Sequence, residues 1–133
     1  MIRLVHAFIL SLAFIGLFAG CGGSSSDGPA FVGTWELTMD NDVPVSQLNF
    51  RQEVTLTTTT YSGWIESGSM RCEWDGTITY TDTTITSVRS TVTGPCAFGA
   101  DLSPRTGTWN VTGNTLTLDG SSHGSGVQTY KRK

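Results

Sequence analysis

Cationic and metal-binding side chains are scarce in this chain of 133 residues. It has 8 Lys and Arg against 11 Asp and Glu, and only two His. The only basic cluster is residues 131–133, at the C-terminus. Nucleic-acid binding requires many cations to neutralise phosphates, so we do not expect it here.

Catalytic groups are equally few. His6 lies in an apolar N-terminal segment, and His123 lies among serines and glycines in residues 121–126. A serine beside a histidine in a turn is not a positioned triad, because a third group must orient the imidazole. Three acidic residues alternate with side chains expected to point inward, which indicates a solvated face: Glu66, Glu73 and Asp75. The sequence therefore predicts a protein that is not an enzyme, without catalytic, cofactor-binding or metal-binding residues.

The N-terminal segment has the layout of a secretory signal. Arg3 supplies a positive charge, residues 7–18 form an apolar run, and the small residues Ala19 and Gly20 follow. A membrane-spanning helix needs about 20 apolar residues, so this run is short for one. We expect residues 1–20 to be a cleaved signal peptide; the alternative is an uncleaved anchor helix.

Residues 18–21 resemble the motif read by bacterial lipoprotein-processing enzymes, with Phe18 in place of the usual Leu. The resemblance implies that Cys21 receives diacylglycerol, that cleavage precedes it, and that its new amino group is acylated. Several acyl chains together make a durable anchor to membrane lipid. Because Gly22 rather than Asp follows the cysteine, the resemblance implies an envelope protein of the outer membrane.

Residues 21–30 form a Gly/Ser-rich segment after the lipidation site. Such a composition behaves as flexible coil, and eight residues span roughly 15 Å. We therefore expect a tether over residues 21–30 and one compact domain over residues 31–133.

Threonine dominates that domain, with 21 residues, while Ala and Leu are sparse. Side chains branched at Cβ favour strands, and no stretch shows helical periodicity. Apolar residues instead alternate with polar ones, as at Trp35, Leu37 and Met39. Further candidate strands lie at 48–56, 61–65, 70–74, 78–80, 84–92, 109–111, 115–118 and 127–131. Residues 61–74 could be two strands or one interrupted at Gly68. The pattern predicts an all-β fold, an up-and-down antiparallel barrel of about eight strands.

Two sequence stretches carry a family resemblance. Residues 31–35 (Phe-Val-Gly-Thr-Trp) open the domain, and residues 107–118 contain Trp109 and a Gly-Asn hairpin. Behind a lipidation motif, they resemble the small bacterial lipocalin-like lipoproteins. The resemblance implies that Gly33, Trp35 and Trp109 form a structural plug of the barrel. It also implies an interior able to hold a small apolar ligand.

Two other function classes share this architecture. One is a protein-binding module, like periplasmic inhibitors of proteases or lysozyme, with an envelope protein as partner. The other is a structural envelope lipoprotein with a filled barrel. A cavity, or its absence, separates the ligand-binding class from the other two.

Cys72 and Cys96 remain once Cys21 is lipidated. An exported protein meets an oxidising compartment and the remaining count is even, so we expect one disulfide between them. A metal pair is the poorer alternative because no histidine lies near either residue.

Overall fold

The computed structural model describes residues 28–133, so the predicted signal peptide, Cys21 and most of the tether lie outside the described residues. Nine strands and three single-turn 3-10 helices form the regular structure of residues 28–133. The strands are β1 (Gly33–Asp40), β2 (Val43–Pro44), β3 (Arg51–Leu56), β4 (Thr60–Ser67), β5 (Met70–Tyr80), β6 (Thr84–Thr93), β7 (Arg105–Thr112), β8 (Thr115–Asp119) and β9 (Val127–Arg132). No helix in this part of the chain is long and apolar enough to cross a membrane.

Eight of the strands close into an antiparallel barrel. From β3 to β9 each strand pairs with the next, β1 pairs with β3, and β9 returns to pair with β1. The two-residue β2 pairs only with the end of β1. The all-β, up-and-down barrel of about eight strands is thereby confirmed.

Alternating side chains fill one part of the barrel with a compact apolar core. Successive residues of a strand point to opposite faces, so every second side chain enters the barrel. The buried members of the core are Phe31, Trp35, Leu37, Val54, Leu56, Ile78, Leu116 and Tyr130. They cluster towards the end where β1 begins, and the interior towards the opposite end is more polar.

The two ends of the barrel differ in their connections. Short turns at residues 57–59, 81–83 and 113–114 join the strands at the end where β1 begins, here called the closed end. Longer loops at residues 41–50, 94–104 and 120–126 lie at the opposite end, here called the open end. A Cβ on Gly28 would lie 3.8 Å from Thr58 of a closed-end turn. The chain therefore enters the barrel at its closed end.

Threonine side chains stabilise two closed-end turns. The Thr57 hydroxyl accepts the backbone N–H of Thr60 at 2.8 Å, and the Thr81 hydroxyl accepts that of Thr84 at 3.0 Å. A hydroxyl placed in this way mimics a backbone turn. Threonine thus serves both the strands and the connections between them.

Two aromatic–glycine pairs link β4 and β5. Gly63 lies opposite Trp74, and Tyr61 lies opposite Gly76, in the barrel interior. A Cβ on Gly63 would lie 2.8 Å from the Trp74 ring, and one on Gly76 would lie 2.7 Å from the Tyr61 ring. Each ring covers the backbone of a residue without a side chain, which lets two large rings fit side by side.

The prediction that Met39 shares the inward face of Trp35 and Leu37 is wrong. Leu37 pairs with the inward-facing Tyr130, but a register shift follows, and Met39 pairs with Thr129. A β-bulge inserts one extra residue and reverses the alternation beyond it. Period-2 counting along β1 alone does not reveal this shift.

Other strand boundaries also differ from the prediction. Leu48 and Phe50 precede β3, because a 3-10 turn over Val45–Gln47 interrupts the extended chain. Gly68, with a φ of 60°, lies in the turn between β4 and β5, so residues 61–74 belong to two strands. The predicted strands at 70–74 and 78–80 are one continuous strand, β5.

Candidate functional site

A cavity of about 150 Å³ lies inside the barrel, next to the apolar core. Half of the lining residues are apolar or aromatic, namely Val54, Leu56, Trp74, Ile78, Ile85 and Leu118. The other half carry hydrogen-bonding groups, namely Gln52, Tyr61, Ser87, Arg89, Gln128 and Tyr130. Small-molecule sites combine an apolar surface with polar groups that orient the ligand, and a cavity of this volume suits a small ligand.

The cavity continues into a second space of about 160 Å³ beneath the 120–126 loop. The two spaces share lining residues, namely Ile85, Ser87, Arg89, Leu118 and Gln128. We call the second space the entrance; it adds Arg105, Asp119, His123 and Ser125 to the lining. The barrel therefore has an interior that opens beneath an open-end loop.

Arg89 lies at the junction of cavity and entrance. It follows the inward alternation of Ile85 and Ser87 along β6, and its partner on β5 is Gly76, which has no side chain. The Arg89 guanidinium carbon lies 5.6 Å from the centroid of the Trp74 ring. Among residues 28–133 five ion pairs form, and Arg89 belongs to none of them.

Tyr61 lies beside this arginine. Burial raises the pKa of the Tyr61 hydroxyl, and the neighbouring Arg89 guanidinium opposes that rise. A hydrogen bond with Ser87 and, more weakly, the charge of Arg105 also lower the pKa of Tyr61. The phenol is therefore a neutral hydrogen-bonding group in a region of positive potential.

Arg105 lies in the wall of the entrance and is held by two neighbouring side chains. Its Nη2 lies 3.2 Å from Asp101 Oδ2, and its Nη1 donates to Ser125 Oγ at 3.4 Å. Hydrogen bonds from Ser103, together with Arg105, lower the pKa of Asp101 to about 2. This arginine is thus anchored to the 94–104 loop by a carboxylate that stays ionised.

The floor of the cavity holds a chain of neutral polar groups. Gln52 Nε2 donates to the Tyr130 hydroxyl at 2.9 Å, and that hydroxyl donates to Gln128 Oε1 at 2.8 Å. Burial raises the pKa of Tyr130 far above its ordinary value, so the phenol stays protonated. No carboxylate lines the inner cavity, and Asp119 at the entrance accepts the Ser121 N–H.

The closed end brings together the three predicted plug residues. Trp35 is fully buried, and its Nε1 donates to the Phe31 carbonyl at 2.7 Å. The Arg132 guanidinium lies 4.2 Å from the Trp35 ring, and a Cβ on Gly33 would lie against that same guanidinium. Trp109 is half-buried and packs edge-on against Phe31, with ring centroids 4.9 Å apart.

The predicted disulfide between Cys72 and Cys96 is confirmed, with a Cα–Cα distance of 5.7 Å. It joins the buried start of β5 to the 94–104 loop. Two residues beyond Cys96, the side chain of Phe98 is 97% exposed. The bridge therefore presents a large apolar side chain to solvent at the open end.

A groove of about 420 Å³ runs over the outer wall beside Trp64. Trp64 faces outward, stacked under Arg71 at 4.5 Å. Arg71 also pairs with Glu73 at 2.7 Å and with Glu66 at 3.4 Å. The groove is larger than the interior cavity, but its charged groups already have partners: Arg71 pairs with Glu73, Glu53 with Lys133, and Asp75 accepts the Thr91 hydroxyl. We therefore regard the interior as the candidate site.

His123 and Ser125 are in contact at the entrance, with Nδ1 and Oγ 3.0 Å apart. The hydrogen bonds formed by residues 28–133 include none from this imidazole to a carboxylate. The serine instead accepts a hydrogen bond from Arg105. In the part of the chain that the structure describes, no group of three or more His, Cys, Asp or Glu could hold a metal ion.

Comparisons with known protein families, with curated proteins and with solved structures find no significant match to this chain.

Sequence reasoning missed the residues that give this site its charge. Arg89 could have been found, because it continues the alternation of Ile85 and Ser87 along one strand. Arg105 becomes an interior residue only through its pairing with Ser87, and the sequence does not reveal that register. Phe31 precedes the first strand, so no periodicity marks it as a core residue.

Proposed function

We propose that this protein is a lipid-anchored lipoprotein of the bacterial cell envelope, with a lipocalin-like barrel that binds a small apolar ligand. The observation that carries the proposal is the interior cavity, which continues to an entrance beneath an open-end loop. A structural lipoprotein with a filled barrel would not require that space. The lipidation motif at Cys21 and the Gly/Ser-rich tether support the anchor.

The direction of the barrel supports the same proposal. The chain enters at the closed end, whereas the entrance to the cavity lies at the open end. A lipid on Cys21 would therefore attach the closed end to the outer membrane, and the entrance would face away from it. A ligand would then enter from the aqueous compartment rather than directly from the bilayer.

We expect Cys21→Ser to abolish both lipidation and membrane retention, because the thiol is the acylation site and the apolar run is short for a span. Cells grown with a labelled fatty acid and then fractionated provide the measurement. Cys96→Ser is the matched control and should still incorporate label. Wild-type protein that remains in the membrane without incorporating label would contradict the anchor.

A second candidate function is protein binding. The exposed Phe98 favours it, since a large apolar side chain on a disulfide-tied loop is a suitable anchor for a partner protein. Mass analysis of the native protein separates the two functions: a bound small molecule supports the first, and a bound protein that Phe98→Ala releases supports the second.

A further inference from the structure

The inner cavity of this barrel is lined by one charged side chain, the cationic Arg89, whereas the protein as a whole is negatively charged. The chain carries a formal net charge of −3, yet the side chains of Arg89 and Arg105 both line the barrel interior. The inner cavity has no acidic lining residue. The other charged or titratable groups near it are Tyr61 and Tyr130 in its lining, Asp119 and His123 at the entrance, and Asp40, which pairs with Gln128 and whose charge acts on the Tyr130 hydroxyl.

Arg89 and Arg105 differ in how their charges are compensated. Arg105 pairs with Asp101, while Arg89 belongs to none of the ion pairs formed by residues 28–133. Arg89 is half-buried between Tyr61 and Trp74. Withdrawing a charge from water is unfavourable unless a partner compensates it, and guanidinium is well suited to carboxylate-like groups. No acidic side chain of the inner cavity supplies this partner to Arg89. The position is therefore open to an anionic group of a ligand.

We propose that the cavity binds a small ligand carrying one anionic group on a short apolar body, with Arg89 as the direct partner of the anionic group. Arg105 adds positive potential at the entrance, through which the ligand passes. The apolar body lies against Trp74, Ile85 and Leu118, between Arg89 and the core. This inference rests on the proposed ligand-binding function and specifies the chemical class of the ligand.

The outer wall supplies a matched control for the interior arginine. Arg71, like Arg89, lies over a tryptophan ring, but it faces solvent and pairs with Glu66 and Glu73. Removal of its charge should not affect an anion inside the barrel. Arg89→Gln and Arg71→Gln therefore make the same chemical change on the two faces of the sheet.

The test uses octanoate and 1-octanol, which have equally long chains but different head groups. Calorimetric titration is done at pH 7 with residues 21–133 carrying Cys21→Ser; this chain contains all nine strands and the whole core. We expect octanoate to bind at least about tenfold more tightly than 1-octanol, since a hydrogen bond to a charged group contributes enough for that factor. Arg89→Gln should lose this preference and still bind 1-octanol, while Arg71→Gln should behave as wild type.

Each outcome decides a different question. Equal affinity of the wild-type chain for both probes would overturn the anionic ligand and leave the apolar site intact. Binding of neither probe would overturn the ligand-binding function as well. An Arg89→Gln chain that keeps the octanoate preference would show that another residue binds the anion. If Arg89→Gln fails to unfold cooperatively, Arg105→Gln replaces it, with a weaker loss of octanoate binding expected.

Discussion

Replacement of Trp35 by alanine is expected to lower the melting temperature of this domain by more than about ten degrees. The side chain is fully buried and its indole donates to the Phe31 carbonyl. Removing a buried tryptophan typically costs about 3–5 kcal/mol, and each kcal/mol shifts the midpoint by about 4–8 °C in a domain of this size. The change also deprives Arg132 of the ring beneath it, leaving that charge over a void.

Trp64 provides the matched control for this experiment. It lies on β4 but faces outward, and Arg71 covers it. The Trp64 ring is half-buried, and its cation–π contact contributes only about 0.5–1 kcal/mol at a solvent-accessible site, so Trp64→Ala should lower the midpoint by less than Trp35→Ala. Thermal unfolding followed by circular dichroism measures both. A Trp35→Ala chain as stable as the Trp64→Ala chain would contradict the assignment of Trp35 as the plug of the closed end.

Loss of the disulfide is the second large effect that we expect. The bridge spans a sequence separation of 24 residues, and the loop-closure argument assigns about 3.5 kcal/mol to a ring of that size. The double variant Cys72→Ala/Cys96→Ala should therefore melt more than about ten degrees below wild type. Backbone amides of the 94–104 loop should also lose protection from hydrogen exchange, because the bridge joins this loop to β5.

Reduction of the wild-type protein checks the same prediction without mutation. A thiol reductant should lower the wild-type midpoint by a similar amount and leave the double variant unchanged. Cys21→Ser, which spares the bridge, should retain the wild-type midpoint. Two free thiols on Cys72 and Cys96 in protein purified from its host under non-reducing conditions would rule out the bridge in the native protein.

The fold was largely predictable because threonine and period-2 alternation are local signals. They predicted the strand content, and the Gly-Asn dipeptide predicted the hairpin at residues 113–114, without any knowledge of neighbouring strands. The bulge that displaces Met39 depends on how β1 pairs with β9, which local alternation does not encode. A second register shift, between Asp75 and Gly76 on β5, was hidden in the same way.

The candidate site was less predictable than the fold. Its charge comes from Arg89 and Arg105, which lie 16 positions apart and share the interior only once β6 and β7 pair. Arginine is usually exposed in folded proteins, so nothing in the composition marks these two residues as interior side chains. The void itself depends on the volumes of side chains from many strands, and no motif in the chain encodes it.

The central claim is that a small ligand occupies the barrel in its native setting. Native mass spectrometry of the mature protein, purified from its own host, tests this claim most directly. We expect a small mass excess over the mature chain that disappears on unfolding and yields an anionic molecule in the released fraction. A mature chain without any bound small molecule, both before and after unfolding, would contradict the claim.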